Sequence, residues 1–369
     1  MKITGSGTLI RANDIAKQMI AFIPSICRLA NGELIVGFQF GKHKHHAHGT
    51  VLVCRSMDGG QTWSNPEAPF ASWAQSIGMA VHAVHMTELA PDRLVANLMI
   101  GDHKGDPEIQ LFNPVTGGAV PIHIGLAESN DGGKTWSAPV LLDTGALRDT
   151  PTPIMGPIVK APNGELLLPF ETSKPYDDPG NWMHNAACFV SRDNGVSWGE
   201  VRIIAHDPTN SLLYWDHRLT AVDGGRCVDF FYTFDNTTGQ QTTAYKSVSL
   251  DGGSTWPQKP VDTGLVGQPW PVALSGDDIV VLSVDRFNDA AIKAHFSSDL
   301  GDTWQDEVTV FQGPRNSFAS SSFVDSIEDQ LRWSYGLPSG VKTGDREVTA
   351  VWYAGLNDDP RIEWATIEV

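Results

Sequence analysis

Five copies of one pattern, Ser-x-Asp-x-Gly-x-(Thr/Ser)-Trp, constrain this chain more than any other feature. They run from Ser56 to Trp63, Ser129 to Trp136, Ser191 to Trp198, Ser249 to Trp256 and Ser297 to Trp304. The pattern is turn chemistry. An Asp carboxylate accepts N–H groups inside a tight turn, Gly supplies a positive φ without steric cost, and the Ser and Thr hydroxyls are placed to cross-link the two flanking strands. The Trp that closes each copy starts the next strand and is large enough to pack between neighbouring sheets.

Successive copies start 73, 62, 58 and 48 residues apart, which suits one four-stranded unit plus loops per interval. That is the spacing of a β-propeller. Apolar runs upstream of each copy supply the strands: IPSICRLA, ELIVGFQF and TVLVCRS precede the first, and MAVHAVHMTEL, RLVANLMI and PIHIGLAES the second. The later copies have equivalents in MGPIVKA, ELLLPFE and NAACFVS, then WDHRLTAV, CVDFFYTF and TAYKSVS, then WPVAL, DIVVLSV and AIKAHFS. After the fifth copy, SFVDSI, QLRWSYGL, EVTAVWYAG and RIEWATIEV are enough for a sixth blade without the pattern. The early segment ITGSGTLIRA lies outside all of these and is expected to add a strand to the last blade, because an open ring would expose two blade faces. The sequence therefore predicts an all-β, six-bladed propeller, residues 1–369 forming a single domain.

With 26 basic and 43 acidic residues the net charge is −17, so nucleic acid is not expected as a partner and an acidic glycan is repelled at long range unless the site concentrates positive charge locally. The N-terminal residues lack the basic start and apolar run of a secretory signal, and no apolar stretch is long enough to span a bilayer. The expectation is a cytoplasmic protein without membrane contact. Cys27, Cys54, Cys188 and Cys227 each sit in an apolar strand-like run and read as free buried thiols. No cofactor or metal-ligand set is read from the sequence, His-x-His spacings alone being a weak metal signal.

In a propeller the first strand of each blade lines the axis, and its start opens on one face beside the loop between the second and third strands. Functional residues are sought there. YWDHRL places Asp216, His217 and Arg218 where a structural strand prefers apolar residues. Asp216 and Arg218, two residues apart, are expected to share a face, either as a buried interblade pair or both facing a substrate. The loop GKHKHHAHG carries four histidines, of which His45 and His48 are candidates for general acid–base work, or else solvated loop residues. Glu171 ends ELLLPFE and with Asp216 makes a carboxylate pair suited to glycoside hydrolysis, or alternatively bonds Lys174 or Arg218. His82, His85, Arg148, His184, His217, Gln268, Arg286, Arg315 and Tyr335 are candidate substrate contacts, with Tyr176, Trp182 and Trp270 available to stack on sugar rings.

The five turns, with GPIVKAPNGELLLP (Gly156 to Pro169), HRLTAVDGG (His217 to Gly225) and SFASSSFVDSIEDQLRWSYG (Ser317 to Gly336), resemble the Asp-boxes and blades of the sialidase superfamily over essentially the whole chain. The resemblance implies a six-bladed propeller and, in active members, an exo-acting retaining hydrolase of terminal sialic acid. Such enzymes grip the substrate carboxylate with three Arg, use an Asp as acid/base and a Tyr activated by Glu as nucleophile. This chain departs from that set. AFIPS has Ile23 between Phe22 and Pro24 with no arginine, and the blade-one loop has histidines where the Asp belongs. The expected Glu falls near Trp215 or Asp216 and the Tyr near Phe318 or Ala319, leaving Arg218, Arg286 and Arg315 as a basic cluster. The combined expectation is a sialidase-like enzyme hydrolysing a terminal, neutral or acidic sugar of a small glycan, with a histidine-containing site. A histidine-centred uronate lyase and a non-catalytic glycan-binding propeller remain the alternatives. The sequence carries no signal of oligomeric state.

Overall fold

A computed structural model describes residues 1–180, 184–286, 288–315, 331–356 and 358–369. Six antiparallel sheets follow one another around an axis. Blade one has three strands, Ile20–Arg28, Leu34–Gly41 and Thr50–Ser56, with a Val53–Glu67 bridge extending its outer edge. Blade two comprises Ala80–Ala90, Arg93–Gly101, Ile122–Ser129 and Val140–Leu141, and blade three Val159–Lys160, Leu166–Glu171, Ala186–Ser191 and Glu200–Ala205. Blade four is built from Leu212–Val222, Arg226–Asp235, Thr243–Ser249 and Val261–Val266; blade five from Trp270–Ala273, Ile279–Asp285, Ala291–Ser297 and Asp306–Gln312.

Blade six takes Gly336–Gly344, Glu347–Ala354 and Arg361–Glu368 from the end of the chain, and its fourth strand is Lys2–Arg11. That strand pairs antiparallel with the last one from Lys2 opposite Glu368 to Arg11 opposite Arg361, closing the ring as the sequence predicted. Gly5 and Gly7 lie under the Trp364 indole, where an added Cβ would come within 3.4 and 3.1 Å of the ring. The first strand of this blade differs from the sequence reading. It begins where QLRWSYGL ends, in a segment rich in Gly, Ser, Thr and Lys that an apolar pattern passes over, while SFVDSI lies outside the described residues.

All five box turns are built alike. The Ser hydroxyl donates to its Asp at 2.6–2.9 Å and accepts the Gly N–H at 2.7–2.9 Å. The same Asp accepts both the backbone N–H and the hydroxyl of the Thr or Ser before the Trp. The hydroxyls thus fold inward onto the carboxylate instead of cross-linking strands, because the Asp is the strongest acceptor within reach. Each box Gly has φ of 78–94°, a conformation in which a Cβ would be strained. Four indole N–H groups bond the Gly carbonyl of their own box, whereas Trp304 reaches the Thr263 carbonyl at 2.9 Å. The four cysteines are buried and free, as expected.

Two measurements test this construction. Ser249 is 1% exposed and holds the Gly253 N–H, so Ser249→Ala is expected to lower the unfolding free energy by about 1–3 kcal/mol in urea titration. The box carboxylates Asp58, Asp193 and Asp251 are held down to about 2, chiefly by the adjoining Thr or Ser hydroxyl. A depressed folded-state pKa stabilises above the unfolded value of about 3.9 and loses that contribution as pH falls through the folded one. Melting temperature should therefore decline between about pH 4 and pH 2, less steeply in a variant with Asp251 changed to Asn.

Candidate active site

Where six innermost strands converge on one axis, they do not run as regular strands. The first strands of blades one, four and six break register at Phe22/Ser25, Trp215/Arg218 and Gly336/Ser339. At each break one residue takes a left-handed backbone: Ile23 at φ 48°, Asp216 at φ 46° and Leu337 at φ 46°. For β-branched Ile23 this is a strained conformation, of the kind that persists only where surrounding structure enforces it. All three of these residues line one pocket, at one end of the axis, with roughly 820 Å³ of atom-free space counted to its open mouth.

The pocket has an aromatic wall of Phe22, Phe112, Trp215, Trp333 and Tyr353, and a polar floor. Arg286 follows the second strand of blade five and is 1% exposed. Its guanidinium lies over the Trp333 ring at 3.8 Å, donates to Gln268 Oε1 at 3.0 Å and sits beside the Tyr353 hydroxyl. Gln268 in turn donates to Asp216 Oδ2. Gly336 makes room for this arrangement, since a Cβ there would lie 2.0 Å from the Arg286 guanidinium. Lys44 enters from the blade-one loop, its amine donating to the Trp333 carbonyl at 2.7 Å and lying 5.0 and 5.2 Å from the Phe22 and Tyr353 rings. Burial, then the charge of Arg286, pulls the Lys44 pKa well below its ordinary value.

Glu171 ends the second strand of blade three, 2% exposed, and accepts the backbone N–H of His217 at 3.1 Å. Burial first, then the negative charge of Asp216, pushes its carboxyl up to about 8. At neutral pH Glu171 thus keeps a proton beside a second carboxylate, an arrangement that separates acid and base roles. Beneath it His217 and Asp229 form a fully buried pair, Nδ1 to Oδ2 at 2.7 Å, while Nε2 donates to the Phe170 carbonyl at 3.0 Å. Burial opposes protonation of His217, yet Asp229 outweighs it and the pKa is raised. This pair anchors the backbone just before Glu171 through the Phe170 carbonyl.

Of the residues singled out in the sequence, Glu171, Asp216, Gln268 and His45 line the pocket, and Arg286 stands directly behind it. His45 is fully neutral there, its pKa pulled to about 3 by burial and then by Lys44. His48 is exposed on the far side of its loop, edge-on to His46. His82 belongs to a chain of neutral groups: His45 N–H to Gln39 Oε1 at 3.3 Å, Gln39 Nε2 to His82 Nδ1 at 3.2 Å, His82 Nε2 to His103 Nε2 at 2.9 Å, and His103 Nδ1 to the Ile109 carbonyl at 2.8 Å. The carbonyl can only accept, which fixes the tautomers of His103 and His82, whereas His45 joins through its backbone N–H alone.

The remaining candidates lie elsewhere. Arg148 is exposed and faces Asp143 at 3.5 Å, Arg315 is exposed, and His184 donates to the Tyr214 carbonyl at 2.7 Å away from the pocket. Tyr335 is fully buried against Phe311. His85 and Arg218 flank Trp270 deeper along the axis. Asp216 and Arg218 do not share a face as expected, because the bulge at Trp215/Arg218 resets the alternation, and among the described residues no ion pair joins them. Tyr176 is half-buried, its carbonyl accepting from Asn113, and Trp182, Phe318 and Ala319 lie outside the described residues. Sequence reasoning missed Lys44, Trp333 and Tyr353. The signal for Tyr353 was available: it is the last but one residue of the second strand of its blade, where Glu171 is the last of its own, and both strand ends reach the same pocket.

Comparison with known proteins agrees with this architecture. The profile of the BNR repeat-like domain matches residues 72–261, just over half of the chain, and the chain belongs to that family. The fold is that of the sialidase-like, six-bladed propellers. A protein of unknown function from Dyadobacter fermentans superposes with a TM-score of 0.73 at 17% identity, covering 100% of this chain and 99% of that one. The intramolecular trans-sialidase of Ruminococcus gnavus, in complex with oseltamivir carboxylate, superposes with a TM-score of 0.68 at 13% identity (100% and 98% covered). The α-L-arabinanase of Penicillium chrysogenum, complexed with arabinobiose, gives 0.62 at 15% identity (100% and 99% covered). At these identities the likeness is one of fold. No curated protein matches the chain.

Gly336→Ala should cost about 1–3 kcal/mol through collision with Arg286. Gly276→Ala, also at positive φ but with nothing within 4 Å of the added Cβ, is the control for backbone strain alone. Thermal melts that show equal losses for both would mean that Arg286 does not need the space.

Proposed function

We propose that this protein is a glycoside hydrolase that removes a terminal sugar, with Glu171 and Asp216 as its working pair. The observation that carries the reading is a protonated, buried Glu171 set beside Asp216 at the closed end of an aromatic-walled pocket. Glu171 transfers its proton to the glycosidic oxygen as the bond to the anomeric carbon breaks, and the Asp216 carboxylate meets the electron-poor centre that this leaves. Water supplies the oxygen retained by the released sugar. Gln268, tied to Arg286, fixes the direction of the Asp216 carboxylate.

A blind pocket suits a chain end better than the middle of a polysaccharide, and its aromatic wall suits the apolar face of a sugar ring. His45 supports the reading as a neutral hydrogen-bonding wall residue: an imidazole with a pKa near 3 is a poor proton donor and a weak base. The acid–base work therefore moves from the histidine loop to the carboxyl pair. The trans-sialidase and the arabinanase that share the fold lend it support as proteins whose structures hold carbohydrate or a carbohydrate mimic.

A panel of chromogenic glycosides of neutral and acidic sugars, read for free aglycone and for ultraviolet absorbance of an unsaturated product, tests this. Hydrolysis is expected, with kcat falling as pH rises through about 8 because the acid Glu171 is then deprotonated. Glu171→Gln should lower kcat by about 10²–10⁴-fold for sugars with poor leaving groups. An unsaturated product would replace the hydrolase with a lyase, and a ligand bound and recovered unchanged would replace it with a binding protein. Independently of any substrate, the infrared carbonyl band of a protonated carboxyl should persist at pH 7 and vanish in Glu171→Gln.

A further inference from the structure

The innermost strands carry a second pocket past the first one. Residues two or three positions further along them, Ile26, Arg218, Trp270 and Gly340 among them, line a pocket with roughly 750 Å³ of atom-free space counted to its open mouth, which shares no residue with the candidate active site. Arg218 and Lys342 face it, and no Asp or Glu lines it, in a chain whose net charge is −17.

Arg218 is unusual among the arginines of this protein. Arg55, Arg192, Arg202, Arg226 and Arg361 each pair with a carboxylate. Arg218, only 6% exposed, has no carboxylate within 4.0 Å among the described residues. One guanidinium nitrogen donates to the His217 carbonyl at 3.1 Å, the group lies over the Trp270 ring at 5.2 Å, and Nε is buried without a partner. The same indole is stacked by His85, with ring centroids 6.4 Å apart, and the His85 Nε2 is likewise buried and unpartnered. Asp216, Glu171 and Asp229 act on this guanidinium only from beyond contact distance, so its buried Nε–H is left without an acceptor, and a planar fork of N–H donors is the geometry that recognises an oxyanion. Lys342 adds a second positive charge at the rim, although its amine also donates to the Leu274 carbonyl at 2.7 Å.

We propose that this axial pocket binds one small oxyanion, with Arg218 as its principal partner and Lys342 as its rim contact. The site is separate from the carboxyl pair and does not depend on the hydrolase reading. An anion there neutralises the buried guanidinium and ties the innermost strands of blades four, five and six together.

Sulfate is the probe, titrated calorimetrically into the full-length protein at ionic strength held constant with sodium chloride. Saturable binding at one site per chain is expected, with a matching rise in melting temperature. Arg218→Met should weaken the dissociation constant by about ten-fold or more and Lys342→Met by a smaller factor, since each removes a charge-assisted hydrogen bond. Arg148→Met, an exposed arginine that lines neither pocket, should leave it unchanged. Met fills much of the space of the Arg stem, so Arg218→Met is expected to fold; Lys342→Met, half-buried, provides a second variant should it not. Absence of saturable binding, or equal affinity in wild type and both variants, overturns the proposal. An effect that follows ionic strength alone does the same.

Discussion

The convergence of six innermost strands on one axis is the constraint from which the rest of this structure follows. Regular strands carrying side chains of ordinary size would crowd one another there, and the chain relieves the crowding by breaking register. Three breaks carry left-handed residues, Ile23, Asp216 and Leu337, and each turns a side chain into the same pocket. The strain of those conformations is maintained because the second and third strands of every blade pair without a register shift and give each inner strand a regular partner sheet. Closure of the ring by the pairing of Lys2–Arg11 with Arg361–Glu368 gives that restraint its continuity.

The segment Asp216–His217–Arg218 shows how one bulge distributes three ionisable groups among three tasks. Without it, alternation would send Asp216 and Arg218 to one face and His217 to the other. With it, Asp216 faces the pocket beside Glu171, His217 turns to Asp229 inside the sheet, and Arg218 points along the axis to the second pocket. The separation matters electrostatically. An Arg218 in direct contact with Glu171 would draw the Glu proton off at neutral pH, whereas burial and Asp216 keep it in place.

The fold was legible in the sequence because box turns are local: Ser, Asp, Gly and Thr within eight residues satisfy one another whatever surrounds them. The blades around them followed from apolar runs, and closure from the lack of any other place for residues 3–12. Blade six was harder, since its first strand is Gly336–Gly344, where packing at the axis selects glycine and serine over the apolar residues that mark a strand. The site was partly legible. Glu171, Asp216, Gln268 and His45 were found from their positions at strand ends, and reach the pocket. Pairing Asp216 with Arg218 failed because a bulge is invisible to period-two counting. Tyr353 was hidden within a run that reads as core, and Lys44 among histidines that drew attention from it.

The histidines carry a general point about reading such loops. Twelve occur in the chain, and a cluster of four suggests proton chemistry near neutral pH. Burial removes that capacity from His45 and His46. His45 and His85 are pushed to about 3, far from any pH at which they would exchange protons in the ordinary range. What burial leaves is a neutral ring with one donor and one acceptor, well suited to carrying hydrogen bonds between strands that have given up regular pairing. The chain from Gln39 through His82 and His103 to the Ile109 carbonyl does this beside the pocket. Desolvation acts in opposite senses on the two kinds of group: it strips the imidazoles of their proton and secures the proton on Glu171. The same burial that makes His45 chemically quiet is what keeps a proton on Glu171.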